Sequence, residues 1–162
     1  MKQRSEVCKA TRSTTCERTH ILVSPTGRQF METHSYGMTV RTDLSMEAAE
    51  AAIRSALAEQ GFGILTEIDV AETLKKKIDV VRPPYRILGA CNPLLANQAL
   101  EIEEGIGLLL PCNVAVYESG GRTVVAAMEP ELMSAVTDNA ALAEVASEAK
   151  RRLVLALSTL ER

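Results

Sequence analysis

The stretch Tyr85-Arg86-Ile87-Leu88-Gly89-Ala90-Cys91-Asn92-Pro93 decides how the rest of the chain is read. It is mostly apolar, short, and ends in an asparagine followed by a proline. Asparagine accepts hydrogen bonds from the free N–H groups at a helix start, and proline fits the first helical position, where no N–H is needed. The stretch therefore reads as a strand, Tyr85 to Cys91, turning directly into a helix, with Asn92 as its cap. Downstream, Leu110-Pro111-Cys112-Asn113 again sets a thiol next to an asparagine with a proline close by.

Outward from this point the pattern alternates. Tyr36, Met38 and Val40 recur at every second residue, as do Phe62, Ile64, Thr66 and Ile68, which marks half-buried strands. Between them Ser45 caps a helix that Gly61 stops, with Met46, Ala49, Ile53, Ala56 and Leu57 on one stripe. Asp69 with Glu72 three residues on resembles a capping box and opens a short helix to about Ile78. Arg82-Pro83-Pro84 enforces an extended linker. The Pro93 helix runs to about Glu104 and stops at Gly105. Leu108 to Glu118 reads as a long strand carrying Pro111, and Ser119-Gly120-Gly121 turns it back into Thr123–Met128. A short helical segment follows Glu129-Pro130, and Asp138 is expected to cap a last helix from about Asn139 to Leu160. The order β-α-β-α-β-α-β-β-α-α predicts an α+β domain with one sheet of about five strands packed against helices.

The chain has 162 residues, one domain and a tail. Residues 1–34 hold six basic and three acidic residues, while the remainder holds twelve basic and eighteen acidic ones. The first segment is polar, aperiodic and expected to lack fixed structure. Residues 35–162 are expected to form the domain, and Met31 is an alternative start. An acidic body disfavours nucleic acid, which demands phosphate neutralisation. The run Lys75-Lys76-Lys77 reads as a solvated helix end. No apolar stretch is long enough to span a membrane, and no secretory signal is evident, so a cytoplasmic location is expected.

From residue 35 onward there is no histidine and no tryptophan. A Ser-His-Asp or Cys-His arrangement is thus missing from the body, and no glycine-rich nucleotide motif occurs. Cys91 and Cys112 are the most distinctive chemistry. A thiol at a helix start can have a lowered pKa, and a paired dithiol suits redox, sulfur handling or a soft metal. Two buried cysteines acting as small hydrophobes are the plain alternative. Asn92 and Asn113 serve as turn and cap residues or flank a pocket, and Tyr85 borders a cleft or the core. Glu67 and Asp69, two apart on a strand, form a carboxylate pair that is more simply structural. Cys8, Cys16, His20 and His34 match no compact zinc spacing, and no metal site is expected.

Three blocks carry a resemblance. Gly61-Phe62-Gly63-Ile64-Leu65-Thr66-Glu67-Ile68-Asp69-Val70, Tyr85 through Pro93, and Gly107-Leu108-Leu109-Leu110-Pro111-Cys112-Asn113-Val114 together resemble the domain-of-unknown-function 302 family over about residues 36–160. The resemblance implies a small α+β domain with a curved sheet, and a homodimer. It brings no established reaction, cofactor or catalytic residue. The expectation is a non-catalytic module that binds or senses a small ligand or anion. Its pocket would lie between the sheet and the Pro93 helix, bordered by Cys91, Asn92, Pro93, Cys112, Asn113 and Tyr85. A thiol-dependent redox or sulfur-handling protein and a homodimeric interaction scaffold are the alternatives.

Overall fold

The architecture is that of a computed structural model, which describes residues 20–23 and 29–161, with side chains from Met31 onward. Seven strands form one antiparallel sheet: β1 (His20–Val23), β2 (Gln29–His34), β3 (Gly37–Thr42), β4 (Gly63–Asp69), β5 (Tyr85–Cys91), β6 (Cys112–Ser119) and β7 (Arg122–Met128). Their spatial order is β1-β2-β3-β7-β6-β5-β4. Five α-helices interleave: α1 (Met46–Glu59), α2 (Val70–Ile78), α3 (Pro93–Ile102), α4 (Leu132–Thr137) and α5 (Ala143–Ser158).

From β3 onward this is the α+β order expected from the sequence. Seven strands rather than five arise because β1 and β2 lie within the segment read as an appendage, and β2 pairs with β3 through Glu32↔Thr39 and His34↔Gly37. Cys8 and Cys16, set aside as zinc ligands on their spacing, fall outside the described residues.

The core lies between one face of the sheet and the pair α1–α5. Met38, Val40, Leu88, Val114 and Val125 from the strands meet Ile53 and Leu57 from α1 and Leu153 and Leu157 from α5, all at 2% exposure or less. Burial of each such side chain contributes about 1.5–3 kcal/mol, which more than offsets its lost rotamer freedom. A second buried cluster, including Ile106, Met133 and Leu142, sits under α3, α4 and the start of α5.

Successive side chains of a strand point to opposite faces. The face away from α1 and α5 therefore carries Ile68, Ile87, Ala115, Tyr85 and Tyr117. Its edge strand β4 is broken by a register shift between Ile64 and Thr66 that leaves Leu65 exposed. Such a bulge spoils the edge as a template for another strand.

Local chemistry explains most boundaries. Ser45 accepts from Ala48 N–H and Asp69 accepts from Glu72 N–H, as their spacing predicts. Gly61 takes φ 80° after α1, a left-handed conformation that glycine adopts without penalty. Two expectations are corrected. The strand read from Leu108 begins only at Cys112, because Glu104–Leu109 winds into a 3-10 helix that buries Ile106. Asp138 does not cap the last helix. It ends α4 in a left-handed conformation at φ 53°, Asn139 caps a 3-10 turn, and α5 begins at Ala143.

Candidate functional site

Register places the cysteine segments side by side. In the β5–β6 ladder Ala90 pairs with Cys112 and Gly89 with Asn113. The two sulfur-bearing segments, distant in sequence, therefore do share one neighbourhood. Asn92 caps α3 by accepting from Leu95 N–H, and its amide donates to Gln60 C=O. Pro93 is the first helical residue and is exposed.

The pleat divides the set. Ala90, Asn92 and Cys112 are buried on the helix-covered side. Cys91, between Ala90 and Asn92, turns to the other face, as does Asn113 opposite Gly89. On that face Gly89 is roofed over: an added Cβ would collide with Thr66 Oγ1 and lie 2.8 Å from Pro111 Cγ. Tyr85 sits at the opposite end of β5, stacked on Tyr117 with ring centroids 4.9 Å apart. Of the six residues expected around one pocket, Cys91, Asn92 and Cys112 border one cavity at the start of α3, while Pro93, Asn113 and Tyr85 do not line it.

The cavity at the start of α3 exists, but it is small and dry. It has a volume of about 20 Å³ and is bordered by Phe62, Leu95, Leu110, Cys112 and Met133 among others, with Cys91 and Asn92 at the strand end. That is room for about one water, and an apolar lining gives a water too few partners. Both thiols are unpaired. Burial pushes the Cys91 thiol above its ordinary value. Burial, with a smaller contribution from Cys91, pushes Cys112 up to about 11. The lowering expected at a helix start is not found, since burial moves the Cys91 thiol the other way. Among the described residues no group of three or more His, Cys, Asp or Glu could hold a metal ion.

A larger cleft lies at the other end of β5. It has a volume of about 270 Å³ and is lined by Glu47 of α1, Asp69 and Glu72 at the start of α2, and Arg82, Tyr85 and Arg86. Met46, Ala71 and Pro84 supply its apolar lining. Beside it runs an ion network. Arg86 Nη1 donates to Glu50 Oε2 at 2.7 Å, and Arg54 Nε donates to Glu50 Oε1 at 2.9 Å. Arg54 also binds Glu67, and Arg86 Nε lies 3.7 Å from Asp69. Burial raises the Glu50 carboxyl pKa, but hydrogen bonds from Arg86 and Arg54 outweigh it, so the group rests below its ordinary value. Arg82 lies over the Tyr85 ring, with Cζ 4.7 Å from the centroid.

Glu67 and Asp69 are accordingly structural: one is held by Arg54 and the other caps α2. Lys75 and Lys76 pair with Asp79 and Glu72 along α2, as a solvated helix end would. Of the residues lining this cleft, only Tyr85 and Asp69 stand out in the sequence as candidates for a site; Met46, Glu72, Arg82, Pro84 and Arg86 read there as structural. The available signal was the pair of arginines flanking a diproline and a tyrosine, Arg82-Pro83-Pro84-Tyr85-Arg86.

The fold defines an α+β domain with one antiparallel sheet and its main helices packed on a single face. The chain belongs to the family described as Domain of unknown function DUF302, whose model matches residues 38–160. It is also similar to the crystal structure of an uncharacterized conserved DUF302 protein from Bacillus stearothermophilus. The two are 28% identical, the match covers 78% of this chain and 99% of that one, and the TM-score is 0.74. No curated protein matches the chain. Among the described residues no helix is long and apolar enough to cross a membrane.

Proposed function

We propose that the protein is a non-catalytic small-ligand-binding module, and that its ligand occupies the cleft around Tyr85, Arg82 and Arg86 rather than the cavity beneath Cys112. One observation carries this reading: the cleft offers about 270 Å³ with charged groups of both signs, against about 20 Å³ of apolar space beside the cysteines. Binding sites combine an apolar lining with a few fixed polar groups. Here Arg86 is fixed by Glu50 before any ligand arrives, so little ordering cost remains on binding. Unpaired thiols fit a reducing compartment, which supports a cytoplasmic location. The acidic body supports small molecules rather than nucleic acid as partners.

The thiol-dependent reading has less support, since burial raises both thiols and Cys112 is sealed in the core. The homodimeric scaffold retains one specific observation. The face away from α1 and α5 leaves Ile68 48% exposed beside the half-buried Ile87 and Ala115, and apolar surface of this kind favours association. Sedimentation of wild type against Ile68→Glu tests it, with a shift from dimer to monomer expected.

The binding reading is tested by native mass spectrometry of gently purified full-length protein. A retained small-molecule adduct is expected, lost in the double variant Arg82→Ala/Tyr85→Ala. An adduct that survives in a folded double variant places the ligand elsewhere and overturns the assignment of the cleft.

A further inference from the structure

We infer that the ligand of this cleft is a small zwitterion, carrying a carboxylate and an ammonium group on a short aliphatic frame. The inference rests on the proposed binding reading and deepens it. It follows from which charges already have partners. Arg86 is engaged by Glu50 and leans toward Asp69. Glu72 pairs with Lys76. Asp69 accepts from Glu72 N–H and caps α2. Two lining charges remain without an ionic partner among the described residues: the guanidinium of Arg82 and the carboxylate of Glu47. The cleft therefore lacks one anion and one cation.

A ligand of a single sign would satisfy one of these lining charges and leave the other unpaired. A ligand with both charges satisfies the two together. Arg82 is suited to the anionic end. Its guanidinium carbon lies 4.7 Å from the Tyr85 ring centroid, and a planar guanidinium fork binds a carboxylate through two parallel hydrogen bonds. Glu47 is suited to the ammonium end, and Asp69 and Glu72 add to the negative potential there. Met46, Ala71 and Pro84 offer apolar contact for the methylene groups between. A volume of about 270 Å³ falls below the roughly 300–1,000 Å³ of drug-sized sites, which fits a metabolite of few heavy atoms.

The test is isothermal titration of the full chain with five probes. Glycine, 4-aminobutanoate and 6-aminohexanoate are zwitterions of increasing charge separation, while butane-1,4-diamine and pentanedioate carry one sign only. At least one zwitterion is expected to bind about tenfold more tightly than either single-sign probe, the difference of one charge-assisted hydrogen-bonded contact. Arg82→Ala is expected to erase the advantage over the diamine, and Glu47→Gln the advantage over the diacid. If the diamine or diacid binds as tightly as every zwitterion and Tyr85→Ala removes that binding, the zwitterion is wrong while the cleft remains a binding site. If no probe binds although an adduct is retained by the native protein and lost with Arg82→Ala/Tyr85→Ala, the zwitterion is again overturned and the cleft stands. If no probe binds and no adduct is found, both readings fall.

Discussion

Arg86, at the start of the strand that ends in Cys91, reaches back to Glu50 in the first helix and donates to it at 2.7 Å. Glu50 is only 7% exposed and receives Arg54 as well. A carboxylate so enclosed is stable only because both guanidiniums hold it. Glu50→Gln removes the charge from a site built for it and is expected to cost about 1–3 kcal/mol in urea unfolding at neutral pH. The sign with pH follows from the lowered pKa of Glu50. Its contribution is present above the ordinary carboxylate range and is lost as pH falls through the folded value. The variant should therefore lose less stability on acidification than wild type, and a parallel acid profile for the two proteins would refute the assignment.

Cys112 offers the opposite sign. Its folded pKa of about 11 lies above the ordinary thiol value near 9. The stability it contributes is complete below about pH 9 and is lost as pH rises toward about 11. The total loss is at most roughly 3 kcal/mol. Denaturant titrations between these limits should show a shallower fall for Cys112→Ala than for wild type. In the native protein at pH 8, alkylation of Cys112 should be at least tenfold slower than in denaturant. Equal rates would mean that the thiol is not sealed.

Gly89 is the residue over which Thr66 and Pro111 close. Gly89→Ala forces both to move and is expected to destabilise the domain by about 1–3 kcal/mol, the usual cost of overpacking. Thr66→Ala removes one of the two obstructing groups. The double variant should therefore be more stable than the sum of the single effects predicts, by about 0.5 kcal/mol or more in a double-mutant cycle. Strict additivity would count against this account of the contact.

Asn92 joins α3 to the end of α1. Asn92→Ala loses the cap on Leu95 N–H and the bond to Gln60 C=O, and about 1–2 kcal/mol of stability is expected to go with them. Asn92→Asp keeps the cap acceptor but not the amide donor, so it should fall between alanine and wild type by thermal melting. Aspartate no better than alanine would show that the Gln60 contact, rather than the cap, is what matters.

The sequence carried the fold because its boundaries are written in local chemistry. Ser45, Asp69 and Asn92 are caps whose partners lie three residues away, and Gly61 is a stop whose conformation belongs to glycine. Where a boundary depends on tertiary burial, sequence reading missed it: the 3-10 segment before Cys112 exists to bury Ile106, and α5 starts late because Asn139 and Leu142 turn the chain first. The candidate site was legible only in part. Proximity of the two cysteine segments followed from strand order. Their separation to opposite faces depends on register, since Ala90 rather than Cys91 pairs with Cys112, and a shift by one residue reverses it. The cleft was harder still. Glu47, Asp69 and Arg82 come from three elements that nothing in their spacing ties together.

The strand order has a bearing on how a nascent chain behaves. β3 takes as its sheet partner β7, with Val40 opposite Val125, and the intervening strands fill in on β7's far side. The face of β3 that meets α5 stays uncovered until α5 has been made. Closure thus waits for α5, and contacts this remote in sequence slow the search for the native state. Chains cut short within α5 would leave Met38 and Val40 less well covered and the domain open to proteases.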